Sequence, residues 1–359
     1  MTVFLDSHNI AAVQESVETL RTWQRSQKGL HVALVYGPVS AEDQLYAAKC
    51  PPEQMSVTAL SEALTEIGAR FQILDPCEPQ FVQELASYQV ALSNLHGPFG
   101  EDGRLQGLLD YLRMPYCGSG VAASAVAADK IRCKRFMESL GIPTPLWHVW
   151  SANPVEWLGW PVMVKPTLGG SSVGMSLVHN PEELAAALGD AARVDASPVL
   201  VEEYLPGTPV TVGMLELPNG VLVFPPLATN VHSGEFYDAE AKLDADSVGT
   251  VSVTKAGLTG DLLSAVTGYA KTLWDGLDCH GAARVDFIVT DREAYALEVN
   301  TTPGMSRDSN FVVGAALHGL THTDVVVAML HEAMARAPYD VPLPRPVFTG
   351  LFSEREATA

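Results

Sequence analysis

Apolar and polar positions follow two rhythms along this chain, and the switches between them mark its elements. Val13, Val17, Leu20 and Trp23 recur at helical spacing inside residues 1–29, which predicts one amphipathic helix ahead of the first strand, covering either the core or a partner subunit. HVALVY (31–36) is a short apolar run of strand character. Ser56 is placed to cap a helix whose Val57, Leu60, Leu64 and Ile67 share one face, with Gly68 to end it. FQIL (71–74) and VALSNL (90–95) follow as strands. Strand–helix alternation over residues 30–125 predicts a parallel α/β sheet.

A long helix is predicted from Val121 to Leu140, stopped by Gly141 and Pro143. Pro161–Lys165 and Met175–Val178 are two strands around a glycine-rich loop. A helix from Pro181 and the strand VLVEEY (199–204) complete a small α+β lobe over 126–210. A third region, 211–350, opens with TVGMLEL and VLVF on either side of Pro218-Asn219-Gly220, a hairpin signal. A helix near 258–275, the strands ARVDFIV and AYALEV, and an apolar-faced helix near Thr323–Met334 follow. Residues 351–359 form a tail.

Composition narrows the choices. At 359 residues the chain has room for two or three domains, and 47% of its residues are hydrophobic. A net charge of −20 opposes a nucleic-acid surface or an anionic membrane surface, which need clustered Lys and Arg. It still permits a few basic side chains to converge on a nucleotide. Five scattered cysteines with no CxxC pair suggest neither zinc nor a disulfide framework. No apolar run approaches the roughly 18 residues of a membrane helix, and no leader pattern opens the chain, so a reduced cytoplasmic protein is expected.

Candidate chemistry concentrates in a few stretches. KPTLGGSSVG (165–174) is not a P-loop, because Lys165 precedes the glycines and the context is strand–loop–strand. It is either a flap that closes over a nucleotide or a flexible surface turn. The strand pair ARVDFIV–AYALEV is more telling. A hairpin centred on Arg292, with Asp291–Glu293 as a three-residue turn, puts Asp286 opposite Glu298 and Arg284 opposite Asn300, all on one face. Opposed carboxylates repel unless a cation intervenes, and Mg²⁺ takes such oxygen ligands. Val285, Phe287, Leu297 and Val299 then fill the other face. HGPFGEDG (96–103) stands at the carboxyl end of a strand, where doubly wound sheets place ligand groups. SAED (40–43) offers Glu42 to the same edge, or is only the acidic first turn of a helix capped by Ser40. Lys130 and Lys242 are, read alone, surface charges.

Together these stretches resemble the D-alanine–D-alanine ligase family of the ATP-grasp superfamily. HGPFGEDGRLQG (96–107), PYCGSGVAASAVAADK (115–130), GIPTP (141–145), KPTLGGSSVGMS (165–176), FYDAEAK (236–242), ARVDF (283–287) and EVNTTPGMS (298–306) carry the resemblance, in family order. It implies a three-lobed ATP-grasp fold with an N-terminal parallel α/β domain, and an ATP-dependent ligase that joins two amino acids through an acyl phosphate. It implies Lys130, Lys165, Ser172 and Lys242 at the nucleotide phosphates, and Glu202, Glu203 and Leu205 in the segment that reads adenine. Asp286, Glu298 and Asn300 match Mg²⁺ ligands, for two ions, with Mn²⁺ the alternative. Arg284 and the Gly304 N–H match the groups that face the tetrahedral oxyanion. Glu42, Ser171 and His96 match positions at the first substrate, and Ser309 the holder of the second substrate's carboxylate. Family members are commonly homodimers.

The sequence also departs from the family. Leu243 stands where an aromatic residue usually follows FYDxEAK, Pro209 where a glutamate usually holds the ribose, and Asn310 in the acceptor segment, which lacks its proline. SAEDQLYA replaces the family's SAERE run. Three of these changes fall at substrate contacts while the phosphate and metal residues are intact. That pattern favours a ligase with shifted substrates, as in specialised metabolism. A D-alanine–D-alanine ligase of peptidoglycan synthesis, a depsipeptide-forming version and a non-catalytic nucleotide-binding paralogue remain as alternatives.

Overall fold

The structure is a computed structural model that describes residues 2–6, 9–39, 44, 47–48, 50–151, 159–170, 173–194, 197–231 and 251–340. The elements run β1 (Phe4–Leu5), α1 (Ile10–Ser26), β2 (His31–Val35), α2 (Ser56–Ile67), β3 (Arg70–Leu74), α3 (Phe81–Leu85), β4 (Val90–Ser93), α4 (Arg104–Leu112), α5 (Val121–Ala128), α6 (Lys130–Ser139), β5 (Trp147–Val149), β6 (Val162–Lys165), β7 (Ser176–Val178), α7 (Pro181–Val194) and β8 (Leu200–Glu203). They continue with β9 (Thr208–Leu217), β10 (Gly220–Val223), β11 (Leu227–Val231), β12 (Val251–Lys255), α8 (Gly260–Leu277), β13 (Ala282–Val289), β14 (Ala294–Asn300), α9 (Asn310–Ala316) and α10 (His322–Ala335).

Three sheets result. The apolar runs at 31–35 and 90–93 sit beside 70–74 in a parallel sheet of order β3-β2-β4, as strand–helix alternation requires. The glycine-rich hairpin forms as expected, β6 pairing antiparallel with β7, inside a four-stranded sheet of order β5-β8-β6-β7. The largest sheet has seven strands. Its long β9 is flanked by β10 and β11 on one side and β13 on the other, and β14 lies beyond β13.

One face of the seven-stranded sheet packs on α5, α6 and α8 through residues such as Val285, Phe287, Leu273 and Trp274. The other face shares a core with α1, α2, α10 and the parallel sheet. This explains why α10 is apolar nearly all round. It is covered on two sides, and Val325–Leu330 are all buried. Thr321 and Asp324 form its capping box.

Several expectations need correction. Residues 1–29 are not only a helix, because Phe4 and Leu5 add a parallel strand to β10. The helix is built into the fold: Val13 and Leu20 are buried in the shared core, and Trp23 meets His331 edge-on at 5.4 Å. The helix expected over Val121–Leu140 is two, broken at Asp129, whose backbone is extended and whose carboxylate caps α6 by accepting from the Arg132 N–H at 2.8 Å. Ser56 caps nothing. It is the first residue of α2, and its hydroxyl accepts instead from the Met305 N–H at 3.2 Å. Gly68 does end α2, at φ 78°. All five cysteines are free thiols, and burial raises Cys279 to about 12. No described helix is long and apolar enough to cross a membrane.

Candidate active site

A cleft of about 1050 Å³ lies among the three sheets. His96, Lys130, Lys165, Glu202, Glu203, Leu205, Arg284, Asp286, Glu298, Asn300, Gly304, Ser309 and Asn310 all line it. Glu42, Ser171, Ser172, Lys242 and Leu243 lie outside the described residues.

One end is built on β6 and β8. These strands are antiparallel, with Met163 opposite Glu202 and Lys165 opposite Leu200, so all four side chains share the cleft face. Lys165 donates to Glu202 Oε1. Lys134, one turn beyond Lys130 on α6, reaches Glu202 Oε2 at 2.7 Å and donates to Thr144 Oγ1 at 2.7 Å. Glu202 and Lys134 are 2% and 1% exposed, so water does not screen this ion cluster. Burial alone would raise the Glu202 carboxyl, but the ammonium groups of Lys134 and Lys165 outweigh it and hold it down at about 2. Glu202 therefore positions two lysines. Glu203 accepts from the Leu146 N–H at 2.8 Å.

Lys130 ties this end to the flap. Its ammonium donates to the Gly169 carbonyl at 2.6 Å and its N–H to the Thr167 carbonyl at 3.1 Å. Gly169 and Gly174 have φ of 107° and 69°, and a Cβ on Gly174 would come within 2.5 Å of Val194 on α7. The flap's return therefore needs glycine.

The other end is the β13–β14 hairpin. Asp286 is paired with Glu298 and Arg284 with Asn300, as expected. The route to that register differs. Val289 pairs with Ala294, and Thr290 and Glu293 close a turn with Asp291 and Arg292 between them. A bulge beside Phe287 then leaves Leu297 unpaired and restores the offset. In consequence Leu297 lines the cleft, not the opposite face.

Arg284 grips Asp286 with Nε at 3.0 Å and Nη2 at 2.9 Å from its carboxylate oxygens. Burial lowers the guanidinium's pKa, and Asp286 more than compensates, so it stands above its ordinary value. Thr211, opposite Asp286 on β9, donates to Asp286 Oδ1 at 2.6 Å. Two carboxylates opposed across a ladder, with a carboxamide beside them, form an all-oxygen donor set that suits a hard divalent cation.

The turn after β14 is clamped from the parallel sheet. Asn94, just past β4, donates to the Pro303 carbonyl at 3.4 Å, and Ser56 holds Met305. His96 Nδ1 stands 3.5 Å from Glu101, whose other oxygen accepts from the Gly97 N–H at 2.6 Å. Ser309 caps α9 by accepting from the Val312 N–H, and Asn310 reaches Thr229 Oγ1 at 3.5 Å. Pro209 lines the cleft from β9, opposite Ile288.

Sequence reading missed Lys134, Thr211 and Asn94. Lys134 carried a signal, since four residues from Lys130 is one helical turn. Asn94 stood at a strand's carboxyl end. Thr211 carried none, because its role depends on which strand β13 joins.

The three-sheet fold that encloses this cleft matches a solved class of enzyme. The crystal structure of a D-alanine–D-alanine ligase from Bacillus anthracis complexed with ATP superposes with a TM-score of 0.71 at 25% identity, covering 85% of this chain and 98% of that one. Fold and cleft make this protein an ATP-grasp enzyme, an ATP-dependent ligase that forms C–N bonds. The family models for the D-ala D-ala ligase N-terminus and C-terminus match residues 60–119 and 141–331. Curated D-alanine–D-alanine ligases of Synechococcus sp. strain JA-2-3B'a(2-13) and of Syntrophotalea carbinolica are 35% and 37% identical, over 86% and 85% of this chain and 94% and 96% of their own lengths. The chain belongs to the D-alanine–D-alanine ligase family.

Proposed function

We propose that this chain joins two molecules of D-alanine, with release of ADP and phosphate. The observation that carries the reading is one cleft with the Lys165–Glu202–Lys134 cluster at one end and the opposed Asp286–Glu298 pair at the other. Curated relatives named D-alanine–D-alanine ligase support it. The γ-phosphoryl group passes to the carboxylate of the first amino acid. The amine of the second then attacks the carbonyl carbon, and phosphate leaves the tetrahedral intermediate.

Lys165 and Lys130 face the nucleotide phosphates, and Leu205 and Leu297 give the nucleotide apolar wall. Mg²⁺, held by Asp286, Glu298 and Asn300 as one or two ions, supplies charge neutralisation at the transferring phosphoryl group. Arg284, oriented by Asp286, and the Gly304 N–H face the oxyanion. His96 stands at the first substrate and Ser309 at the second. Glu42, Ser171, Ser172 and Lys242 join them from segments outside the described residues. In this reading the lobes 30–125, 126–210 and 211–350 close around the cleft, and the enzyme works as a cytoplasmic homodimer.

A second reading, a ligase with shifted substrates, rests on Asn310 bonded to Thr229 beside Ser309 and on Pro209 in the cleft wall. ADP release with D- and L-amino acids, singly and in pairs, with product masses, separates the two. Turnover with D-alanine alone supports the first. Turnover only with another pair supports the second.

A further inference from the structure

Outside the cleft, three ligand-bearing side chains converge where β9 ends, β13 begins and α10 finishes. They are Glu216, His280 and Glu332, and one ligand atom from each lies within 4.8 Å of the others. His280 Nδ1 is 3.4 Å from Glu216 Oε2 and 3.6 Å from Glu332 Oε1. Metal–ligand bonds of about 2.0–2.2 Å give a tetrahedron with edges of roughly 3.3–3.6 Å. The two separations from His280 Nδ1 fall at that edge length, and the two carboxylates lie within 4.8 Å of each other. The other ring nitrogen, Nε2, faces Asp278 Oδ1 at 3.8 Å.

The cluster is also incomplete as it stands. The Glu332 side chain is only 7% exposed, and its Oε2 has no hydrogen-bond partner among the described residues. Glu332 Oε2 lies beside Gly281, whose N–H donates to Glu216 at 3.0 Å. Arg336 gives Glu332 Oε1 a partial counter-charge at 3.4 Å. Its terminal nitrogens, however, are held by the carbonyls of Gly118 and Tyr116 at 2.9 and 2.6 Å, so it does not bridge the two carboxylates. A divalent cation seated between the half-buried Glu216 and the buried Glu332 would neutralise both carboxylates and give Glu332 Oε2 a partner.

We propose that Glu216, His280 and Glu332 form a structural site for a zinc-type divalent metal, separate from the carboxylates of the cleft. One imidazole with two carboxylates favours such an ion over Mg²⁺. The bound ion would pin α10 to β9 and to the segment at Ser119, whose hydroxyl accepts from the His280 N–H at 3.1 Å.

Cobalt(II), added to the full chain in excess Mg²⁺, is the probe. The expected result is one Co²⁺ per chain with the intense visible bands of a tetrahedral site, displaced by Zn²⁺, and a melting temperature raised by Zn²⁺. His280→Gln should lose both effects, and Asp286→Asn should keep both. Absence of bound cobalt in the wild type, or wild-type binding by His280→Gln, overturns the proposal. Should His280→Gln fail to fold, anomalous scattering from zinc-soaked wild-type crystals decides: a peak between Glu216 and His280 supports the site, and no peak there overturns it.

Discussion

The two ends of the cleft hold similar side chains in opposite circumstances. At the β6–β8 end, Lys134, Lys165 and Glu202 are all buried and neutralise one another down to a net +1, two cations less one anion. At the β13–β14 end, Arg284, Asp286 and Glu298 sum to −1, one cation less two anions, and the Arg284 and Asp286 side chains remain 20% and 19% exposed. The first end is a positive well fixed by the chain itself and suited to phosphate. The second is reachable from solvent and suited to a cation. Folding is therefore expected to depend on the first cluster more than on the second, and turnover on both.

Glu202→Gln should be the most damaging change, because it leaves two buried ammonium groups without their anion. A loss of about 3–5 kcal/mol is expected, read by urea or thermal unfolding. Asp286→Asn should instead reduce turnover by at least roughly 10–100-fold with a much smaller loss of stability. The contrast between the ends breaks if Asp286→Asn unfolds the protein as readily as Glu202→Gln does. Lys134→Met should destabilise less than Glu202→Gln, since Lys165 still pairs with the carboxylate. Combining the two should give less than the sum, because the residues touch.

Acid sharpens the same comparison. Glu202 has its folded pKa depressed to about 2, below the roughly 4.3 of an unfolded glutamate. Its contribution is thus present above about pH 4.3 and lost as pH falls toward 2. Wild-type stability should fall across that window more steeply than that of Glu202→Gln. The smallest effect is expected from Asp129→Ala, which removes the cap of α6 and costs about 1 kcal/mol, with a modest fall in turnover because α6 carries Lys130 and Lys134.

What the sequence made legible follows from the range of the interactions involved. The parallel sheet, the flap hairpin and the β9–β10 turn are set by local periodicity and turn residues, and they form as read. The Asp286–Glu298 pairing was also readable, yet only because the shorter turn and the bulge at Leu297 offset each other. Local pattern carries no sign of such a bulge. Asp129 sits in a stretch whose apolar period runs on past it, so the break between α5 and α6 was hidden. The strand at Phe4–Leu5 is two residues long and exists only because β10 offers it an edge. Lys134 was visible one turn from Lys130, but its importance depends on Glu202, 68 positions along the chain, and on burial that only the packed structure reveals.

The cleft is proposed to join two amino acids with cleavage of ATP to ADP and phosphate. Its most direct test is Mg²⁺-dependent ADP release by the purified chain with D-alanine as sole amino acid, followed by product mass. Rapid release and a mass corresponding to the D-alanine dipeptide are expected. No ADP release with D-alanine or with any other amino-acid pair would contradict it.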